Sequence, residues 1–176
     1  MSENLPLIYV STLLVILVVA AVVILKAIIQ SRLSENTFGK LRKKLKEKKG
    51  TSEDYYQLGS LYLDKKLFVQ SLSLFEKALK DKELPAENKA LIHNAMGYAY
   101  FAQEQYDISI RKYKDALKCF PEYVVALNNL GNVYEKKQLI SQAVEMYDQA
   151  LAVEPDNKIA KRRAESLKKR LVTADR

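Results

Sequence analysis

The chain opens with a block of apolar residues that differs from everything after it. Leu5 to Leu25 are 21 consecutive positions without a charged side chain, rich in Leu, Val, Ile and Ala. At about 1.5 Å of rise per residue, such a helix crosses the roughly 30 Å hydrocarbon layer of a membrane. A cleaved signal peptide is the alternative, but it needs a basic start and a shorter apolar core. The pattern therefore predicts an uncleaved transmembrane anchor over residues 1–30.

Beyond the anchor, apolar, glycine and aromatic residues recur with a period near 34. From Val124 onward they fill the signature positions 4, 7, 8, 11, 20, 24, 27 and 32 of a tetratricopeptide repeat: Leu127, Leu130, Gly131, Tyr134, Ala143, Tyr147, Ala150 and Pro155. Leu127 replaces the usual Trp. The spacing predicts two helices per repeat, A and B, because the small residues at positions 8 and 20 let them approach closely.

The same pattern occurs twice earlier in the chain. Repeat 2 contains His93, Met96, Gly97, Tyr100, Ser109, Tyr113, Ala116 and Pro121. Repeat 1 contains Tyr55, Leu58, Gly59, Tyr62, Ser71, Phe75 and Ala78. Gly59 and Gly97 lie 38 positions apart, so four extra residues are expected near residues 80–85, in the turn between the repeats. Pro121 and Pro155 are expected to end the B helices of repeats 2 and 3.

These patterns predict an all-α protein, in which an N-terminal transmembrane helix precedes a tetratricopeptide solenoid with a C-terminal capping helix. The expected segments are the anchor (1–30), a basic juxtamembrane linker or helix (31–51), repeat 1 with its insertion (52–89), repeat 2 (90–123), repeat 3 (124–157), and a basic capping helix and tail (158–176). The last helix is expected to cover the apolar end of the array, and a dedicated basic binding site is the alternative.

The net charge of +8 is not spread evenly. Residues 26–49 hold nine Lys or Arg against two acids, and residues 158–176 hold eight against two, whereas residues 50–157 hold twelve against sixteen. The repeats are therefore mildly acidic, which argues against nucleic acid as a partner. Because the basic flank follows the anchor and none precedes it, the repeats are expected on the side from which the anchor is inserted.

Four basic residues near the end of this flank, Arg42, Lys43, Lys44 and Lys46, form a cluster that can contact anionic lipid. A solvated linker that only sets the topology is the alternative.

In this fold the concave groove is lined by positions 2, 5, 6, 9, 12 and 13 of the A helices. The candidate peptide-binding residues selected from these positions are Tyr56, Asn94, Tyr98, Phe101, Asn128, Asn129 and Asn132. Each Asn amide can donate to and accept from a peptide main chain, and the aromatic rings supply apolar contact. The alternative is that these are ordinary solvated positions. The Lys and Arg clamp that captures chaperone carboxyl termini is missing, because Tyr56, Val125 and Asn129 occupy clamp positions.

No chemistry is expected from this sequence. It has no Gly-rich phosphate loop or nucleophile elbow, and its one Cys (Cys119) and one His (His93) cannot build a metal site. His93 falls on a packing position and Cys119 near a helix end. We therefore expect no enzyme activity, no cofactor and no small-molecule substrate.

The segments ALNNLGNVYEKKQL (126–139) and NKIAKRRAESLKKRL (157–171), behind a single anchor, resemble the small tetratricopeptide proteins of cyanobacteria and algal plastids that support photosystem I assembly. The resemblance implies a thylakoid protein with its repeats in the stroma or cytosol. Its implied partners are photosystem I subunits, assembly intermediates or other assembly factors.

Two other classes remain open from the sequence. An organelle outer-membrane receptor for preproteins or chaperones would share the anchor and the cytosolic repeats. A general membrane-anchored scaffold, or a peptidoglycan-linked bacterial protein with the opposite orientation, is the other.

Overall fold

The computed structural model describes residues 5–47 and 50–174, and every regular element in these residues is an α-helix. The chain divides into two compact units, Met1–Lys48 and Lys49–Arg176. The helices are α1 (Leu5–Lys46), α2 (Ser52–Asp64), α3 (Phe68–Ala78), α4 (Ala86–Ala102), α5 (Tyr106–Cys119), α6 (Val124–Lys136), α7 (Ile140–Val153) and α8 (Lys158–Ala174).

The first unit contains α1, a helix of 42 residues. Its large apolar side chains between Ile8 and Ile29 are all exposed. By length and composition, α1 is able to cross a membrane. The helix continues without a break past residue 30 into the basic segment, so the change in composition there is not a change in secondary structure.

The second unit confirms the predicted solenoid. Helix α2 packs against α3, α4 against α5 and α6 against α7, and each pair packs on the next through α3 with α4 and α5 with α6. Helix α8 packs on α7 and buries Ala160, Ala164 and Leu167, which is the predicted capping role. The apolar end of repeat 3 is thereby removed from solvent, as a helical array requires at its terminus.

A glycine lies under an aromatic ring in each helix pair. A Cβ atom added to Gly59 would lie 2.7 Å from Phe75, one added to Gly97 would lie 2.6 Å from Tyr113, and one added to Gly131 would lie 2.8 Å from Tyr147. These distances are shorter than van der Waals contact. Positions 8 and 24 of each repeat therefore determine how closely its A and B helices approach.

The turn between the A and B helices has the same backbone form in all three repeats. Lys66, Glu104 and Gln138, each at position 15, adopt φ values of 58° to 59°. In each turn the next amide returns to the A helix, as in the 2.9 Å bond from the Leu139 N–H to the Tyr134 carbonyl. This is the 6→1 bond that ends many helices, usually with glycine at the left-handed residue.

The four extra residues between repeats 1 and 2 are not all in the turn where they were expected. Helix α4 begins at Ala86, one turn earlier than α6 does in its repeat, while α3 ends at Ala78, three residues earlier than α5 and α7 do in theirs. Residues 79–85 connect them, and 86–89 form an added first turn of α4. Pro85 precedes this turn with φ −56°, a value suited to a helix start.

Prolines end the later B helices as predicted. Helix α5 ends two residues before Pro121 and α7 ends two residues before Pro155. The intervening residues Phe120 and Glu154 are extended, with φ values of −143° and −130°. A residue before proline is pushed out of the helical region by the proline ring, which explains both helix ends.

Candidate protein-binding groove

The candidate groove is formed by the faces of α2, α4 and α6 that carry positions 2, 5, 6 and 9. Asn94, Asn128, Asn129 and Asn132 are all partly exposed there, and Tyr98 is 49% exposed. The array thus brings the predicted asparagines of α4 and α6 to one surface. Their hydrogen bonds distinguish them from one another.

Asn94 and Asn129 are hydrogen-bonded to each other. The Nδ2 of Asn129 on α6 donates to the Oδ1 of Asn94 on α4, at 3.0 Å. This bond joins two repeats across the groove and uses one donor and one acceptor of the pair. Because an amide has two donor hydrogens and an oxygen with two lone pairs, both residues keep capacity for a peptide main chain.

Asn128 is linked to the start of the capping helix. Its Nδ2 lies 3.4 Å from the Oδ1 of Asn157, which also accepts the Ala160 N–H at 2.9 Å. Asn157 is therefore the N-cap of α8, a role that side-chain oxygens of Asn commonly fill. The sequence analysis missed Asn157, although an Asn three residues before a buried Ala at a helix start was a usable signal.

Asn132 differs from the other three asparagines in its hydrogen bonding. Its side chain forms no hydrogen bond within the described part of the chain, and it lies at position 9 of α6. Tyr98 lies at the same position of α4, also exposed. An amide and a phenol on adjacent helices can together contact the polar and apolar parts of a bound peptide.

The other predicted aromatic residues are partly used in packing. Tyr56 is half-buried and lies 5.9 Å, between ring centroids, from Phe75. Phe101 is half-buried and lies 5.8 Å from Tyr106. Each ring thus contributes to the packing between the A and B helices of its own repeat.

Glu135, at groove position 12 of repeat 3, is held by two other helices. It accepts a 2.6 Å hydrogen bond from the Tyr147 hydroxyl on α7 and lies 3.3 Å from Arg163 on α8. Burial and the carboxylate of Glu135 both raise the pKa of Tyr147. This set stabilises the end of the array.

The two residues considered for chemistry, His93 and Cys119, are both partly buried. His93 is half-buried, and burial lowers the pKa of its imidazole while Asp115 opposes the shift. Cys119 is partly buried and packs beside Ala116 and Phe120. Among the described residues, no group of three or more His, Cys, Asp or Glu could hold a metal ion.

The basic cluster lies in the last turns of α1. Arg42, Lys43, Lys44 and Lys46 are all exposed to solvent. Its contact with lipid remains a prediction.

Family models match the repeats directly. A TPR repeat model covers residues 97–138, and a tetratricopeptide repeat model covers residues 124–157. The second match has the bounds predicted for repeat 3.

Similar whole proteins come from algae and a plant. The ycf37 protein of Cyanophora paradoxa is 39% identical over 140 residues, covering 80% of this chain and 81% of that protein. The ycf37 protein of Guillardia theta is 35% identical and covers 100% of this chain and 99% of that protein. The chloroplastic tetratricopeptide repeat domain-containing protein PYG7 of Arabidopsis thaliana is 26% identical over 96% of this chain, which spans 56% of PYG7.

Solved structures support the fold. MamA superposes with a TM-score of 0.70 at 20% identity, over 83% of this chain and 85% of that one. The first tetratricopeptide domain of RPAP3 (Spaghetti), solved with an HSP90 peptide, gives a TM-score of 0.63 at 16% identity, over 69% of this chain and 94% of that domain. At these identities the likeness concerns the helical array alone.

Proposed function

Because the chain belongs to the ycf37 family of tetratricopeptide-repeat proteins, we propose that it is a membrane-anchored protein-interaction factor that supports the assembly of photosystem I. In this proposal α1 anchors the chain, and the groove holds photosystem I subunits or assembly intermediates at the membrane surface. The observation that carries it is the presence, in one chain, of an exposed apolar helix and a groove with an unengaged amide at Asn132. No catalytic step is part of the proposal.

The proposed site of action is the thylakoid membrane of a plastid or cyanobacterium, with the repeats on the stromal or cytosolic side. The name of the Arabidopsis relative includes its chloroplast location, which supports a plastid setting. The basic residues that follow the anchor support the orientation, because positively charged flanks stay on the side of insertion. Arg42, Lys43, Lys44 and Lys46 would then lie near the anionic headgroups of that leaflet.

A receptor for chaperones or preproteins is less well supported. The clamp positions hold Tyr56, Val125 and Asn129, none of which is cationic, and the ring of Tyr56 packs on Phe75. A carboxylate bound there would lack the charge-assisted hydrogen bonds that make such sites strong.

Deletion of the gene tests the proposal. We expect the deletion strain to accumulate less photosystem I while photosystem II is largely spared, as measured by low-temperature fluorescence and immunoblots of both complexes. Restoration by the full chain is the control. Normal photosystem I content under both low and high light would contradict the proposal.

A groove variant tests where the partner binds. Asn132→Ala is expected to weaken capture of photosystem I subunits from solubilised thylakoids without changing the melting of the array. Gln149→Ala is the matched control, because Gln149 is exposed on α7, a B helix. Equal capture by the two variants and the parent chain would count against the groove.

A further inference from the structure

Three apolar side chains lie exposed at the same position of three successive helices. Leu91 on α4, Val125 on α6 and Ile159 on α8 are spaced by 34 residues and are 38%, 50% and 57% exposed. The capping helix keeps the register of the repeats, because Ala160 is fully buried just as Ala126 is. These three residues, all at groove position 2, form what we call the apolar ladder.

Charged residues lie at the two ends of the apolar ladder. Position 2 of α2 is Glu53, which is exposed, so the ladder begins beside a carboxylate. Position 5 of α8 is Arg162, which is exposed and has no ion pair within the described residues. Arg162 lies one helical turn beyond Ile159, on the same face. A ligand along the ladder would therefore meet a negative charge at α2 and a positive charge at α8.

A small pocket opens beside the first member of the apolar ladder. It has a volume of about 100 Å³, and its lining combines apolar and polar side chains: Tyr56, Leu84, Leu91 and Ile92 with Ser52, Glu53 and Asn88. Leu84 belongs to the connecting segment 79–85, and Asn88 to the added first turn of α4. The four-residue insertion thus helps to build the pocket, whose size suits one apolar side chain.

The spacing of the apolar ladder identifies the shape of its ligand. Packed helices such as α4 and α6 lie roughly 8–10 Å apart, and a seven-residue step along an α-helix covers about 10.5 Å on one face. Same-face residues of a β-strand recur at about 6.6 or 13 Å, which fits poorly. A polyproline helix has a similar step of about 9.3 Å per turn, but such helices dock into aromatic-lined grooves, whereas the side chains of the apolar ladder are aliphatic.

We propose that the apolar ladder binds an amphipathic helix of the partner protein. This inference rests on the proposed function and specifies the ligand of the same groove. The helix presents apolar residues at seven-residue intervals, one of which enters the pocket beside Leu91. It carries a basic residue at the end near Glu53 and an acidic residue at the end near Arg162. Such a helix matches the groove in apolar surface and in charge at both ends.

A designed peptide tests this ligand. The probe is a fluorescent helical peptide of about 20 residues with Leu at seven-residue intervals, Lys at one end and Asp at the other. A scrambled peptide of the same composition is the control, and binding is measured by fluorescence anisotropy to the full chain in detergent micelles. We expect the patterned peptide to bind at least about tenfold more tightly than the scrambled one. Equal affinities would overturn the inference.

Three variants of the protein test whether the peptide binds to the apolar ladder. Val125→Gln is expected to lower the affinity for the patterned peptide about tenfold. Val69→Gln is the matched control and should leave the affinity unchanged, because Val69 is 75% exposed on α3, a B helix. Arg162→Glu should weaken binding of the peptide that ends in Asp. A peptide with Lys at both ends should bind the Arg162→Glu chain with its affinity restored. Equal effects of the Val125 and Val69 changes would overturn the inference, as would a dimer of the full chain that Val125→Gln dissolves.

The outcome is separable from that of the proposed function. Tight, ladder-dependent peptide binding together with normal photosystem I in the deletion strain would contradict the proposed function and leave the ligand class intact. The Val125→Gln chain can also be expressed in the deletion strain. If it fully restored photosystem I there, the role of the apolar ladder would be contradicted and the proposed function would stand.

Discussion

Repeats 1 and 3 share the same close approach of their two helices but differ in how their buried polar groups are satisfied. In repeat 3 the Tyr147 hydroxyl donates to Glu135, which also pairs with Arg163 of the capping helix. In repeat 1 the equivalent ring is Phe75, without a hydroxyl, and the buried Ser71 hydroxyl forms no hydrogen bond with any described residue. The ring of repeat 3 is thus joined by its hydroxyl to the A helix and, through Glu135, to the capping helix, whereas the equivalent ring of repeat 1 makes apolar contacts.

The two repeats also differ in their cores and in their surfaces. Repeat 3 and α8 share one buried core, and polar bonds also join their helices. Repeat 1 instead carries the longer connection and the small pocket near Leu91.

The largest expected effects come from the glycines under the rings. Gly59→Val and Gly131→Val should each lower the free energy of unfolding by about 3 kcal/mol, because both aromatic rings are buried and cannot move aside. Thermal melting of the full chain in micelles, followed by near-UV circular dichroism of the tyrosines, measures this.

Gly39→Val in α1 is the control, since an added Cβ there meets nothing within 4 Å. If Gly59→Val left the free energy of unfolding unchanged while Gly131→Val lowered it, the close approach of the two helices in repeat 1 would be contradicted.

The next effect concerns the hydrogen bond between Tyr147 and Glu135, which has no counterpart at Phe75 in repeat 1. Tyr147→Phe should lower the free energy of unfolding by about 2 kcal/mol, because it removes a hydrogen bond to a charged group. Tyr113→Phe in repeat 2 is the comparison variant and should cost less, as no carboxylate raises the pKa of Tyr113. Equal melting temperatures for Tyr147→Phe and the parent chain would show that the hydrogen bond between Tyr147 and Glu135 does not stabilise repeat 3.

Two serines at position 20 should respond in opposite directions. Ser71→Ala should raise the free energy of unfolding by about 1 kcal/mol, because it removes a buried hydroxyl that forms no hydrogen bond with the residues that the structure describes. Ser109→Ala should lower it by about 1 kcal/mol, because the Ser109 hydroxyl donates to the Gly97 carbonyl at 2.8 Å. Denaturant midpoints of both variants test the pair, and shifts of the same sign would break the contrast.

The smallest expected effect is a pH dependence from repeat 2, where His93 replaces the Leu127 of repeat 3. Burial lowers the pKa of His93 in the folded chain, with Lys112 and Lys118 acting in the same direction and Asp115 against it. The unfolded chain then binds more protons below about pH 6.5, so stability is present above that pH and is lost as the pH falls. His93→Leu should reduce the change of melting temperature with pH between about pH 5 and pH 8. If that change were the same as in the parent chain, groups other than His93 would cause it.

The sequence predicted the parts of the fold that depend on residue size. Gly131 and Tyr147 are informative because only a small residue fits beneath a ring, and Pro121 because it cannot continue a helix. The left-handed residues Lys66, Glu104 and Gln138 were not foreseen, since nothing in their side chains requires that conformation. The added first turn of α4 was also missed, because a short polar segment after a proline suits either a turn or a helix start.

The groove was predicted as a surface, but its internal bonds were not. The positions of Asn94, Asn128, Asn129 and Asn132 follow from the repeat register. That Asn129 donates to Asn94, and Asn128 to Asn157, depends on side-chain rotamers and on distances between helices, which no residue spacing gives. The structure thereby singles out Asn132 among four asparagines that were equivalent in sequence.

Site-specific photo-crosslinking in thylakoids during photosystem I synthesis tests most directly whether the groove holds photosystem I subunits at the membrane. A benzophenone amino acid replaces Asn132 in the groove or, as control, Lys118, an exposed residue on α5. If the groove holds these subunits, position 132 should crosslink to newly made photosystem I subunits and position 118 should give little product. Crosslinks of equal yield from both positions, or from position 118 alone, would contradict binding in the groove.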